Sequence, residues 1–322
     1  MGKMIDGEWT TEWYGSDEMG HFEREDTVFH DRVRADEASA HPVESGRYHL
    51  YVSLACPWAH RTLIGRALLG LEEHISVSVV HWLMDEDGWE FRDDDPDATL
   101  DPVNGARYLR EIYKKAADDY TGRVTVPILW DKKEETIVNN ESREILRMLT
   151  TQFAELADED IDLSPESMRD EIDDVITAIY EPINNGVYRC GFADSQQAYD
   201  EALETLFEAL EHWDEVLDKQ RFLVGDRLTE ADICMFTTLL RFDPVYCTHF
   251  KCNRRRLADF DNLLDYTREI YQLPGVAETC NLRHIKHHYY RSHPMVNPTR
   301  IVARGFEVDY DAPHNRDRLP VG

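Results

Sequence analysis

Apolar and polar positions change period along this chain, and the changes mark its elements. In "GRYHLYVSLA" Tyr48, Leu50 and Val52 alternate with their neighbours, which predicts a strand. "AHRTLIGRALLGLE" then places Leu63, Ile64, Ala67, Leu68 and Leu71 on one helical face, with Gly70 as a C-cap. "ISVSVVHWL" is dense enough in apolar residues to predict a buried strand. Residues 85–106 are turn-rich and acidic, a long loop of the kind that carries function. "RYLREIYKKAADDY" reads as a helix, "VTVPILW" and "TIVNN" as a hairpin, and "ESREILRML" as another helix. The predicted order is β-α-β-loop-α-β-β-α.

Residues 1–46 show no sustained period and read as an irregular arm. Around 150–165 the pattern turns polar and ends in Ser-Pro, which places a domain boundary there. The stretches 165–181, 196–219, 229–242, 259–272 and 275–281 beyond it all read as helical. Thr229 with Asp232 forms a capping-box variant ahead of Ile233, Phe236, Leu239 and Leu240. The expected division is an arm (1–46), an α/β domain (47–155) and an all-helical domain with a C-terminal tail (156–322).

Charge changes this picture more than hydrophobicity does. Asp and Glu total 64 against 35 Lys and Arg, a formal net charge of -29, and most of the cations are arginine. The acidic residues are spread over every helix-like segment. Such a coat keeps a protein soluble where salt screens repulsion, and it resembles that of proteins from halophilic microbes. It also argues against nucleic acid as a partner, since no basic stripe exists. No apolar run of about 18 residues is present and the first residues lack an apolar signal core, so a cytoplasmic protein without a membrane span is expected. Six cysteines in that compartment read mostly as reduced thiols.

Three places could carry chemistry. Cys56 lies at a strand-to-helix junction, with Pro57 suited to the first helical turn. Helix N–H groups there would stabilise a thiolate and lower the pKa from about 8.5. Ala59 occupies the position where a redox C-x-x-C would hold its second thiol, so any mixed disulfide must form with an external partner. The alternative is a small buried core thiol. Pro127 interrupts a strand-like run, either as an ordinary edge proline or as a cis proline that leaves the Val126 backbone free for an extended ligand. Glu141 and Ser142 open a helix, either as plain caps or as a seat for an α-amino-acid head group.

The constellation of Cys56, Val126-Pro127 and Glu141-Ser142 resembles the glutathione transferase superfamily. "CPWAHRTLIGRALLGLE", "VTVPILWDKKEETIVNNES", "YEPINNGVYRCGFA", "LTEADICMFTTLLRFDPVYCTHFKCN" and "IKHHYYRSHPMVNPTRIV" are similar to the glutathionyl-hydroquinone reductases, the Xi-class, cysteine-type members. The resemblance implies a thioredoxin-like domain followed by an all-helical domain, and a homodimer built on the second. It makes Cys56 the nucleophile and Trp89 the tryptophan packed on the thiol ligand. Val126 would pair with the ligand's cysteinyl backbone, Glu141 and Ser142 would hold its γ-glutamyl end, and Arg123 is a further contact. Tyr246 and Tyr289 would be catalytic, facing the aromatic substrate, bonding its hydroxyls and helping proton transfer, with Tyr188 and His288 beside them as substrate contacts.

The implied reaction reduces a thiol-conjugated aromatic hydroquinone, with glutathione or γ-glutamylcysteine as cosubstrate. The contacts at Val126, Glu141 and Ser142 use only the γ-glutamyl-cysteinyl part that both thiols share. A broader thiol transferase or dehydroascorbate reductase of omega type would use the same Cys56 chemistry, and a non-catalytic thiol-binding scaffold would not use it. No metal is expected. Cys247, His249 and Cys252, and His284, His287 and His288, lack zinc-site spacing, and "EFRDDDPD" lacks the EF-hand pattern. Cys190, Cys234 and Cys280 read as core residues.

Overall fold

The structure is a computed structural model that describes residues 2–11, 17–159 and 161–321. Part of the expected arm (12–16) and one residue of the expected boundary (160) lie outside the described residues. The chain forms two compact units, which do not follow the expected three-way division. The first unit takes Met1–Trp13, Arg24–Ile161 and Thr279–His288; the second takes Tyr14–Glu23, Asp162–Glu278 and Tyr289–Gly322. The arm is therefore shared between the units, and ten residues late in the chain rejoin the first.

The arm is also less irregular than expected. Strands β1 (Lys3–Ile5) and β2 (Glu8–Thr10) pair as a hairpin around Asp6-Gly7, both in the left-handed region (φ 49° and 75°). That is the geometry a two-residue hairpin turn requires, and Asp-Gly is its strongest sequence signal. A Cβ on Gly7 would lie 1.9 Å from the Asp118 carbonyl oxygen, so the position also needs a bare backbone.

In the main sheet of the first unit, β3 (Tyr48–Val52) lies parallel to β4 (Ser76–Val79) and antiparallel to β6 (Ile128–Asp131). Strand β7 (Thr136–Asn139) closes the order β4-β3-β6-β7. Every residue of β3 is buried, as a central strand demands. Strand β4 is a correction: it is an edge strand, with Ser76 exposed and only Ser78 fully buried. The apolar density read there belongs partly to Val80, which lies beyond the strand. A separate short strand, β5 (Gly122–Arg123), pairs with β1.

Helix α1 (Pro57–Leu68) packs on α3 (Ser142–Thr151), with α2 (Leu109–Ala116) between them in sequence. Gly65 permits the close approach, since a Cβ there would sit 2.5 Å from Leu146 Cδ1. Helix α1 ends as read: Gly70 takes φ 64° and its N–H bonds the Ala67 carbonyl. The β-α-β-loop-α-β-β-α order is the thioredoxin-like arrangement.

The second unit is helical. Its elements are α4 (Arg169–Ile179), α5 (Gly186–Gly191), α6 (Gln196–Leu217), α7 (Glu230–Arg241), the single turn α8 (Cys247–His249) and α9 (Leu263–Tyr271). Helix α10 (Leu282–Ser292) begins in the first unit and ends in the second. The Thr229–Asp232 capping box forms as read. One helical reading is corrected. The expected helix at 275–281 is one tight turn, Ala277–Thr279, following Gly275 at φ 80°. The helical residues lie just beyond, in α10, whose His, Lys and Arg content hid its apolar face. Wide π turns at Tyr180–Asn184 and Phe242–Tyr246 each contain a proline, Pro182 and Pro244. Proline removes one backbone donor and crowds the preceding turn, which is a standard cause of such widening.

Candidate active site

Cys56 caps α1. Its backbone is extended (φ -77°, ψ 123°), Pro57 occupies the first helical position, and the His60 N–H bonds the Cys56 carbonyl at 3.0 Å. The side chain makes no capping bond, which leaves the sulfur turned elsewhere. The half-buried Cys56 Sγ sits 3.6 Å from the Val126 carbonyl oxygen.

The Val126–Pro127 peptide is cis, and β6 starts immediately after it. Pro127 thus precedes the strand and costs the sheet no donor. Among the described residues, no partner is found for the Val126 N–H. That donor and the adjoining carbonyl form a strand edge on which an extended peptide could pair.

Glu141 is the N-cap of α3, and its carboxylate accepts the Arg143 N–H at 3.2 Å and the Ser142 hydroxyl at 3.4 Å. Arg61, buried one turn along α1, donates to Ser142 Oγ at 3.3 Å. Its guanidinium also lies 4.4 Å from the centre of the Trp58 ring, and Arg24 covers the same ring at 5.0 Å. A carboxylate, a hydroxyl, a helix N-terminus and a guanidinium therefore meet at one point. That set suits a zwitterionic amino-acid head group.

A buried phenol ties these two segments together. Tyr113 OH donates to the Thr125 carbonyl at 2.9 Å and accepts the Thr125 N–H at 3.2 Å. It also accepts the Asn140 side-chain amide at 3.0 Å. Thr125 precedes Val126 and Asn140 precedes Glu141. Tyr113 does not stand out in the sequence, where it fits a plain apolar helix position; Arg61 reads there only as a donor near Cys56, with no direction legible.

Trp89 is buried and stacks on His288, with centroids 4.8 Å apart and planes at 24°. His288 Nδ1 is 2.9 Å from the Trp82 carbonyl oxygen. Arg123 is buried along the arm, where it donates to the Glu25 carbonyl. In the second unit Tyr188, Tyr246 and Tyr289 form a chain of hydroxyls. Tyr289 OH lies 2.5 Å from Tyr188 OH and 3.0 Å from Tyr246 OH. Tyr246 ends the Pro244 π turn and Tyr188 lies in α5. Burial pushes the Tyr246 and Tyr289 phenols well above their ordinary pKa.

The acidic loop after Trp89 brings two carboxylates and an imidazole together. Asp95, Asp97 and His284 bring ligand atoms within 4.8 Å of one another. However, Arg283 donates to both Asp95 oxygens and to Asp97 Oδ2, each at 2.6 Å. Arg283 already pairs with both carboxylates, and the cluster ties the start of α10 to this loop.

Cys190, Cys234, Cys247 and Cys252 are buried. Cys280 corrects the core reading. It is part-exposed, lies between a tight turn and α10, and contacts His60.

Both units match descriptions of one enzyme class. Residues 55–152 match "Glutathione S-transferase, N-terminal domain" and residues 196–269 match "Glutathione S-transferase, C-terminal domain". The chain is 51% identical to the glutathionyl-hydroquinone reductase YqjG of Escherichia coli, over 98% of this chain and 99% of that one. It is also 51% identical to the glutathionyl-hydroquinone reductase PcpF of Sphingobium chlorophenolicum, over 95% of this chain and 96% of that one. Among solved structures, a Xi-class transferase from Natrialba magadii superposes with a TM-score of 0.95 at 56% identity, covering 100% of this chain and 98% of that one. The glutathione-bound structure of YqjG superposes at 0.90 with 49% identity, covering 98% and 99%. The chain belongs to the glutathionyl-hydroquinone reductases, the Xi-class glutathione transferases.

Proposed function

We propose that this enzyme reduces S-glutathionyl or S-γ-glutamylcysteinyl hydroquinones to free hydroquinones, with Cys56 as the nucleophile. The observation that carries the reading is Cys56 Sγ at the helix cap, facing the Val126 backbone, whose N–H has no partner among the described residues. A cysteinyl ligand paired with Val126 would present its own sulfur to that thiol.

The Cys56 thiolate attacks the thioether sulfur of the conjugate. The aryl carbon–sulfur bond breaks, its electron pair stays on the ring carbon, and that carbon takes a proton. The hydroquinone leaves and Cys56 remains as a mixed disulfide. A second thiolate attacks that disulfide, returns Cys56 and carries away the oxidised dimer. Ala59 supports this cycle, because no neighbouring thiol on α1 can resolve the intermediate.

Glu141, Ser142 and the α3 N-terminus hold the γ-glutamyl head group in this scheme, and Trp89 lies against the thiol ligand. Tyr246 and Tyr289 are assigned to the hydroquinone hydroxyls, with Tyr188 joined to them and His288 at the Trp89 ring. Phenols kept neutral by burial serve as hydrogen-bond donors and not as bases. Three linked hydroxyls favour a hydroquinone over dehydroascorbate or a small mixed disulfide. The homodimer is part of the same proposal, and sedimentation at twice the chain mass checks it.

The test is reductase activity on a panel of conjugated hydroquinones with each thiol. Cys56→Ala should lose about 10³-fold or more in kcat/KM. Full activity in that variant would overturn the scheme.

A further inference from the structure

Cys280 does not stand alone. Its Sγ lies 3.7 Å from Nε2 of His60, an imidazole buried in the first unit. The same nitrogen is held at 2.8 Å by the hydroxyl of Thr279. A thiol with an imidazole nitrogen in reach forms a pair that can activate a nucleophile, once that nitrogen releases the Thr279 hydroxyl and accepts the thiol proton. Only Cys56 and Cys280 among the six cysteines are not buried.

We infer that Cys280 is a second reactive thiol, separate from the reductase cycle, which takes low-molecular-weight disulfides and becomes S-thiolated with His60 as its base. The Cys280 proton passes to His60 Nε2, and the thiolate attacks one sulfur of the disulfide. One S–S bond breaks and one forms. The departing thiolate takes the proton back from His60, so a protein thiol is oxidised while half of the disulfide is reduced. The supply of such a disulfide rests on the proposed function, whose second step releases the oxidised dimer. His60 sits one turn along α1 from Cys56, and its N–H bonds the Cys56 carbonyl. An adduct at Cys280 would therefore press on the helix that carries the nucleophile.

The experiment treats the full-length protein with glutathione disulfide and maps adducts by mass spectrometry. Wild type should carry adducts at Cys56 and Cys280, Cys56→Ser one at Cys280, and Cys56→Ser/Cys280→Ala none. In the Cys56→Ser background, His60→Gln should slow the Cys280 reaction about tenfold or more. A control independent of that variant compares Cys280 in folded and urea-unfolded Cys56→Ser protein. An activated thiol reacts faster in the folded chain despite its partial burial. No adduct at Cys280, or a folded rate below the unfolded one, overturns the inference. An adduct at Cys280 in a protein whose Cys56→Ala variant keeps full reductase activity would sink the proposed mechanism and leave this inference standing.

Discussion

Tyr113 OH holds Thr125 from both sides, donating to its carbonyl at 2.9 Å and accepting its N–H at 3.2 Å. The same hydroxyl accepts from Asn140, so one atom sets the spacing between Val126 and Glu141. Tyr113→Phe should raise KM for the thiol about three- to tenfold with kcat within about twofold, and lower stability by about 1–2 kcal/mol. Kinetics against thiol concentration, with denaturant titration, would check it. A stability loss with KM unchanged would show that Tyr113 is structural only.

The Trp89–His288 stack makes a second prediction. His288→Ala removes both the ring contact and the bond to the Trp82 carbonyl, freeing Trp89 to move. KM for the thiol should rise about fivefold or more, and Trp89 emission should shift to longer wavelength. Trp89→Phe identifies the indole concerned: a shift that persists in Trp89→Phe/His288→Ala would assign it elsewhere.

Tyr289 bonds both other phenols, so Tyr289→Phe breaks the chain at its centre. It should cost about 10- to 100-fold in kcat, more than Tyr188→Phe. Burial holds Tyr246 and Tyr289 protonated above their ordinary range near 10, so they stay neutral at lower pH. An alkaline decline below about pH 10 therefore belongs to other groups and should persist in Tyr289→Phe. Its disappearance in that variant would overturn the donor assignment.

Acid stability should depend on the Asp95 cluster. Hydrogen bonds from Arg283 foremost, then His284, the Asp97 N–H and Trp82, hold Asp95 below the usual carboxylate range, against the opposing effect of burial. A depressed folded-state pKa adds stability that is complete above the unfolded value near 4 and is lost as pH falls below it. Arg283→Leu should lower Tm at neutral pH and flatten the Tm decline between about pH 5 and 3. Parallel wild-type and variant curves would refute this.

Net charge gives the last prediction. With a formal charge of -29, self-repulsion is large at low ionic strength. Tm should rise steadily from low to multimolar KCl as screening grows. A flat curve would count against salt adaptation.

Much of the fold was legible because its signals are local. Cys56 before Pro57, the alternation of Tyr48, Leu50 and Val52, and Thr229 with Asp232 each act through nearest neighbours. The Asp6-Gly7 turn was equally local but lay within a stretch read as irregular. Helix α10 was hidden because burial there falls on His284, His288, Tyr289 and Tyr290 as well as Ile285, which a count of aliphatic residues misses. Arg61, Tyr113 and Cys280 owe their places to partners 81, 27 and 220 residues away, and no single-chain pattern encodes such pairs.

The pairing of Lys3 with Arg123 and of Met4 with Gly122 has a temporal side. On the ribosome the β1–β2 hairpin emerges early, yet its neighbouring strand follows more than a hundred residues later. A two-stranded hairpin is marginal by itself, and closing so long a loop carries an entropic cost. Synthesis must therefore pass β5 before the third strand of that sheet can dock, a few residues ahead of Val126. The start of the chain and the thiol-facing backbone would reach their final form in the same late event.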